Sequence, residues 1–84
     1  MGSEGRMSEI KVDVFLDAKG MHCPMHVLKT KKVIDTMQSG QVMEIIATDP
    51  GSKSDISELL SRLGHKLLQI NEKGGEIAFY IKKI

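Results

Sequence analysis

Cys23 is the single cysteine of the chain, and it stands in the run Gly20-Met21-His22-Cys23-Pro24-Met25-His26. One cysteine cannot close an internal disulfide, but it can act as a nucleophile or carry a group. That chemistry belongs to the thiolate, which is favoured at a helix N-terminus, where free backbone N–H groups and the helix dipole face an anion. Pro24 marks such a terminus, because its φ is already helical and its missing N–H would have no partner there. Cys23 is therefore expected at or beside the N-cap, with Gly20 opening the preceding loop and Lys19, His22 and His26 as nearby basic side chains. A free cysteine is more often a small buried hydrophobe; here the helix start and the basic neighbours favour a reactive one. His26, three residues on and in the first turn, is placed to stabilise the thiolate when protonated. Its alternative is a solvated side chain without a role.

The same three side chains invite a metal reading. His22, Cys23 and His26 fall one short of the four ligands that structural zinc takes, and His65 is distant in sequence, so no metal is expected; nor is any other cofactor. Lys29, Lys31 and Lys32 follow one to two turns later, either as a solvated helix face or as a docking face for a partner. Met25 and Leu28 lie off the core stripe of that helix and flank the thiol, where they are suited to rim a transient interface.

The elements that must position these residues are legible from periodicity. Residues 10–17 alternate, with Ile10, Val12, Val14 and Leu16 against Lys11, Asp13 and Asp17, and Phe15 interrupting the polar side; that is a strand. From residue 24 to about 38 the period becomes helical, with Val27, Thr30, Val33, Ile34 and Met37 on one face and Ser39-Gly40 as the stop. Val42 to Thr48 is a second strand, ended by Asp49-Pro50-Gly51. Ser52 and Asp55 have capping-box spacing and open a second helix with Ile56, Leu59, Leu60 and Leu63 on its apolar face and Gly64 closing it. Residues 66–72 and 76–83 are strands joined by Lys73-Gly74-Gly75, a hairpin signal. The order is β-α-β-α-β-β. With right-handed crossovers this gives an α/β (α+β) two-layer sandwich: a four-stranded mixed sheet with two helices on one face. The other face is left uncovered and is expected to be more polar unless a partner docks there.

Size and charge bound the function. Eighty-four residues form one domain, assigned to residues 10–84, behind a flexible tail of residues 1–9; such a domain buries roughly 60–65% of its unfolded surface. The 12 basic and 11 acidic residues nearly cancel, and Phe15, Phe79 and Tyr80 are the only aromatics. Direct nucleic-acid binding, which wants a basic surface and stacking rings, is therefore not expected. No apolar run approaches the ~20 residues of a membrane span, and no signal-peptide pattern opens the chain. A lone thiol points to the cytoplasm.

Three stretches carry a resemblance to a known family: Leu16-Asp17-Ala18-Lys19-Gly20-Met21-His22-Cys23-Pro24; Lys29-Thr30-Lys31-Lys32; and Ala47-Thr48-Asp49-Pro50-Gly51-Ser52 with Asp55-Ile56 and Gly64-His65. From about Asp13 onward the chain resembles the TusA/SirA family of sulfur-carrier proteins. It departs from the family's Cys-Pro-x-Pro signature by placing His26 where the second proline stands. The resemblance implies a sulfurtransferase that accepts sulfane sulfur as a persulfide on Cys23 and passes it on. It further implies a donor protein of cysteine desulfurase or rhodanese type and an acceptor protein, with the carrier a monomer by itself. The pathway is left open among tRNA thiolation, sulfur oxidation, cofactor biosynthesis and thiosulfate handling. The competing reading is a non-catalytic binding or regulatory module, for nucleic acid or protein, since a fold of this kind does not fix its function.

Overall fold

The computed structural model describes residues 11–22 and 24–84. Its elements are β1 (Val14–Ala18), α1 (Met25–Ile34), β2 (Val42–Ala47), α2 (Ser52–Leu63), β3 (Lys66–Lys73) and β4 (Glu76–Lys82). They form a four-stranded sheet in the order β1-β2-β4-β3. β1 runs parallel to β2, while β4 is antiparallel to both β2 and β3. The last strand therefore inserts between its two predecessors. The reversal that allows this lies at Gly74 and Gly75, whose φ values of +59° and +83° suit the tight hairpin turn that favours glycine at both central positions.

Alternation along the strands builds one buried face. Leu16, Ile45, Phe79 and Ile70 occupy one row across the four strands, and the first three are core residues. Met43, Ala47, Ile77 and Ile81 extend that face, and Ile34 of α1 with Ile56 and Leu60 of α2 close it from above. The expected two-layer architecture is thus present, with both helices on one side. The opposite face carries the row Phe15, Glu44, Tyr80 and Gln69. It is less polar than expected, because Phe15 belongs to it and is 57% exposed. The Tyr80 hydroxyl donates to Glu44 Oε2 at 2.9 Å, and this bond to a carboxylate holds the phenol's pKa above its ordinary value.

Several boundaries differ from the periodicity. β1 begins at Val14 rather than residue 10: Asp13 instead ties the strand starts together, its N–H bonding Val42 O at 2.8 Å and its carboxylate accepting Val42 N–H at 3.0 Å. The tail assigned to residues 1–9 lies outside the described residues. Helix α1 stops at Ile34, about a turn before the expected end. Beyond it the Thr36 and Met37 amides bond Val33 O and Ile34 O, and the Thr36 hydroxyl competes for Val33 O at 2.6 Å, the local bonding by which threonine disfavours helix continuation. Helix α2 makes no capping box. Its N-cap is Gly51 without a side-chain cap, and Asp49 shapes the approach, its Oδ1 accepting Gly51 N–H at 3.0 Å and its backbone O accepting Ser52 N–H at 2.9 Å. Asp55 is drawn elsewhere. The C-terminus of α2 does follow the sequence: Gly64 takes φ +82° and donates to Leu60 O at 2.8 Å.

His65 follows directly. Its Nδ1 accepts the Ile84 N–H at 3.2 Å, a role only the unprotonated nitrogen can fill. Burial, and after it the Lys83 charge, lowers its pKa below the histidine value, with Asp35 opposing. The unfolded chain thus takes a proton at a pH where the folded chain still resists it, so this residue's contribution to stability is lost as pH falls below histidine's ordinary range of about 6.5. Urea midpoints measured from pH 7.5 down to 5 should fall less steeply for His65→Asn than for the parent. Equal slopes would contradict the assignment.

Candidate functional site

Cys23 lies outside the described residues, so the site is defined by what flanks it in sequence. β1 ends at Ala18, which is wholly buried. The loop after it is fastened to the end of β2: Gly20, at φ +80°, donates its N–H to Thr48 Oγ1 at 2.9 Å, and Met21 N–H returns to Ala18 O at 3.1 Å. Lys19 N–H bonds Asp17 Oδ1 at 3.0 Å, and the Lys19 residue is exposed. Because β1 and β2 are parallel, the loops leaving them meet at one end of the sheet, and both helices begin there.

Helix α1 starts one residue later than the sequence indicates. Pro24 is the N-cap, at φ −95° and ψ 8°, with Met25 N–H bonding His22 O at 2.6 Å and Leu28 N–H bonding Pro24 O at 2.9 Å. Pro24, the residue after Cys23 in sequence, thus holds the N-cap position, and His26 is the second helical residue.

The largest correction concerns His26. The sequence leaves it either beside the thiol or solvated without a role, and the solvated alternative fails because the residue is completely buried. The inward stripe of α1 is His26, Thr30 and Ile34, rotated away from the expected Val27, which is only partly buried. A buried imidazole needs polar partners, and two carboxylates supply them: Asp55 Oδ2 stands 3.3 Å from Nε2 and Asp49 Oδ2 stands 3.8 Å from Nδ1. Asp49 Oδ2 also lies 3.8 Å from Nδ1 of His22, whose side chain is 81% exposed. Asp49 and Asp55 were missed as site residues because each already had a local explanation, one in a turn and one in a capping box. The failed capping box is the trace of Asp55's second role.

The groups expected to dock partners divide. Met21, Met25, Leu28, Lys29 and Lys32 line one shallow groove, and Met25 and Leu28 are more than half exposed. Lys31 is outside that lining; it pairs with Asp35 at 2.9 Å one turn along the helix, and this bond lowers the Asp35 pKa. A second groove, between the helices, is lined by Pro24, Val27, Asp55, Glu58, Leu59 and Arg62. Among the described residues, no three His, Cys, Asp or Glu side chains converge to hold a metal ion, and no helix is long and apolar enough to cross a membrane.

Comparison with known proteins gives this geometry its context. Residues 14–83 match the family model described as Sulfurtransferase TusA. The chain belongs to the TusA family. It is 45% identical over 71 residues to the sulfur carrier protein TusA of Allochromatium vinosum, covering 84% of this chain and 93% of that one. It is also 42% identical over 74 residues to the putative sulfur carrier protein YrkI of Bacillus subtilis, covering 88% and 99%. The crystal structure of a SirA-like protein from Desulfitobacterium hafniense shares the fold, with a TM-score of 0.74 at 24% identity over 83% of this chain and 96% of that one. The TusA-family frame is therefore complete here from β1 to the end of β4, including the sheet end where both helices begin.

Proposed function

We propose that this TusA-family chain carries sulfane sulfur on Cys23 and relays it between two proteins in the cytoplasm. The observation that carries the reading is the position of the only cysteine, joined directly to the proline that caps α1, in a chain of a sulfur-carrier family. The Cys23 thiolate attacks the terminal sulfur of a donor's persulfide. A bond forms between Cys23 Sγ and that sulfur, the donor's S–S bond breaks, and the donor leaves as its thiolate. Cys23 then bears S–SH, and an acceptor thiolate repeats the same exchange, releasing the Cys23 thiolate. No external electron is needed in either step. A donor of cysteine desulfurase or rhodanese type supplies such a persulfide. Incubation with a sulfane donor should add about 32 Da per sulfur atom to the intact mass, removed again by reductant; no gain with any such donor, on thiol confirmed reduced, overturns the reading.

Partner recognition follows from the groove beside this segment. Met21, Met25 and Leu28 offer an apolar floor, and Lys29 and Lys32 a basic rim, so a partner presenting an apolar side chain flanked by carboxylates fits it. Surface lysines of this kind influence encounter more than stability. The double variant Lys29→Glu/Lys32→Glu should keep its thermal midpoint and lose about tenfold in protein-to-protein transfer rate at low salt, with the deficit shrinking as salt is added. Lys31→Glu should have the smaller effect on transfer, since Lys31 is engaged by Asp35. Unchanged transfer by the double variant at every salt concentration would remove the basic rim from the site.

A further inference from the structure

His26 is the one completely buried histidine among the described residues, and the sulfur-transfer chemistry makes no use of it. Neither ring nitrogen makes a hydrogen bond of good geometry, and the hydroxyl of Ser52, at the start of α2, is likewise buried without one. Buried polar atoms in that condition cost free energy unless something completes them. The partners are already in place: Asp55 Oδ2 at 3.3 Å from Nε2 and Asp49 Oδ2 at 3.8 Å from Nδ1, the first within reach but off the N–H axis and the second slightly too far. A neutral imidazole has one N–H and can donate to only one of these acceptors. An imidazolium has two and can donate to both, in charge-assisted bonds of about 2.7–2.9 Å.

The arrangement also brackets the cysteine. His22 and His26, one residue before Cys23 and three after it, converge on the same oxygen, Asp49 Oδ2, each at 3.8 Å. The His22 contact is open to solvent and therefore weak; the His26 contact is enclosed. The titratable and charged groups about the ring are Asp49 from the β2–α2 loop, Asp55 from α2, and His22 through Asp49, with the Cys23 thiol three residues upstream in sequence. Glu58 and Arg62, farther along α2, are paired with each other at 3.0 Å.

We propose that His26 is a positioning residue whose ring clasps the first turn of α1, with its N-cap Pro24, to Asp49 and Asp55, and that the clasp closes fully only when the ring is protonated. Raising the pH opens one side of the clasp and changes the reactivity of the cysteine that precedes Pro24 in sequence. This rests on the carrier reading only in taking Cys23 as the working group.

The test follows the His26 ring nitrogens by NMR in ¹⁵N-labelled protein across pH, and in parallel the alkylation rate of Cys23 by iodoacetamide, corrected for the thiolate fraction. The corrected rate should change about twofold or more at a midpoint matching that of the ring. His26→Gln, which keeps a polar side chain of similar reach but cannot titrate, should give a corrected rate without that step. Asp55→Asn, at a partly exposed position, removes one carboxylate that favours the charged ring, so it should move both the ring midpoint and the rate step to lower pH. A ring that does not titrate, a rate step that survives in His26→Gln, or a ring midpoint untouched by Asp55→Asn would overturn the proposal. None of these measurements involves loaded sulfur, so the carrier reading stands or falls separately on the mass gain.

Discussion

Cys23→Ser should abolish sulfur loading outright. The expected loss is total because the chain holds no second cysteine to take over, and the other sulfur atoms are methionine thioethers, which cannot form a persulfide. The serine hydroxyl keeps nearly the same size but stays protonated at neutral pH, so the exchange has no nucleophile. Intact mass after exposure to a sulfane donor should show the unmodified variant beside a parent heavier by about 32 Da per sulfur atom. Thermal unfolding of both proteins separates loss of the thiol from loss of the fold. A folded Cys23→Ser variant that still gains labile sulfur would place the cargo elsewhere and sink the assignment.

The largest effect on stability is expected from Phe79→Ala. Phe79 is fully buried near the middle of β4, paired with Ile45 on one side and Ile70 on the other. Truncating such a phenylalanine costs about 3–5 kcal/mol, part lost transfer energy and part cavity. A domain of this size has about 5–15 kcal/mol in total, so the variant should lie close to unfolding at room temperature. Phe15→Ala makes the control: the same truncation on the exposed face should change stability by about 0.5 kcal/mol or less. Urea midpoints measure both, and a loss below about 1 kcal/mol for Phe79→Ala would mean that the row through β4 is not the centre of the core.

What could be read in the sequence, and what could not, divides along the range of the forces involved. β2, the hairpin at Gly74-Gly75 and the end of α2 at Gly64 were legible because local signals set them: β-branched alternation, paired glycines and a left-handed cap. Met25 and Leu28 were legible as outliers from the helical stripe, and they are exposed. The end of α1 was not, since Thr36 gives its side chain to the local backbone ahead of the glycine that marks the obvious stop. His26 was not legible either. Polar side chains count against burial in any periodic pattern, and what permits burial here is a pair of carboxylates brought in from the β2–α2 loop and from α2. Asp55 shows the same limit from the other side, having the spacing of a local cap and being used at long range.

The insertion of β4 between β2 and β3 has a consequence for how the protein is made. A chain emerging from the ribosome can pair β1 with β2 and wind both helices, but β3 has no neighbour to bond until β4 follows it. Until then the inner edge of β2 and both edges of β3 are open templates for strand addition by another chain. Any delay between the folding of the β1–α2 portion and the docking of β4 would therefore prolong the interval in which this carrier is most exposed to aggregation.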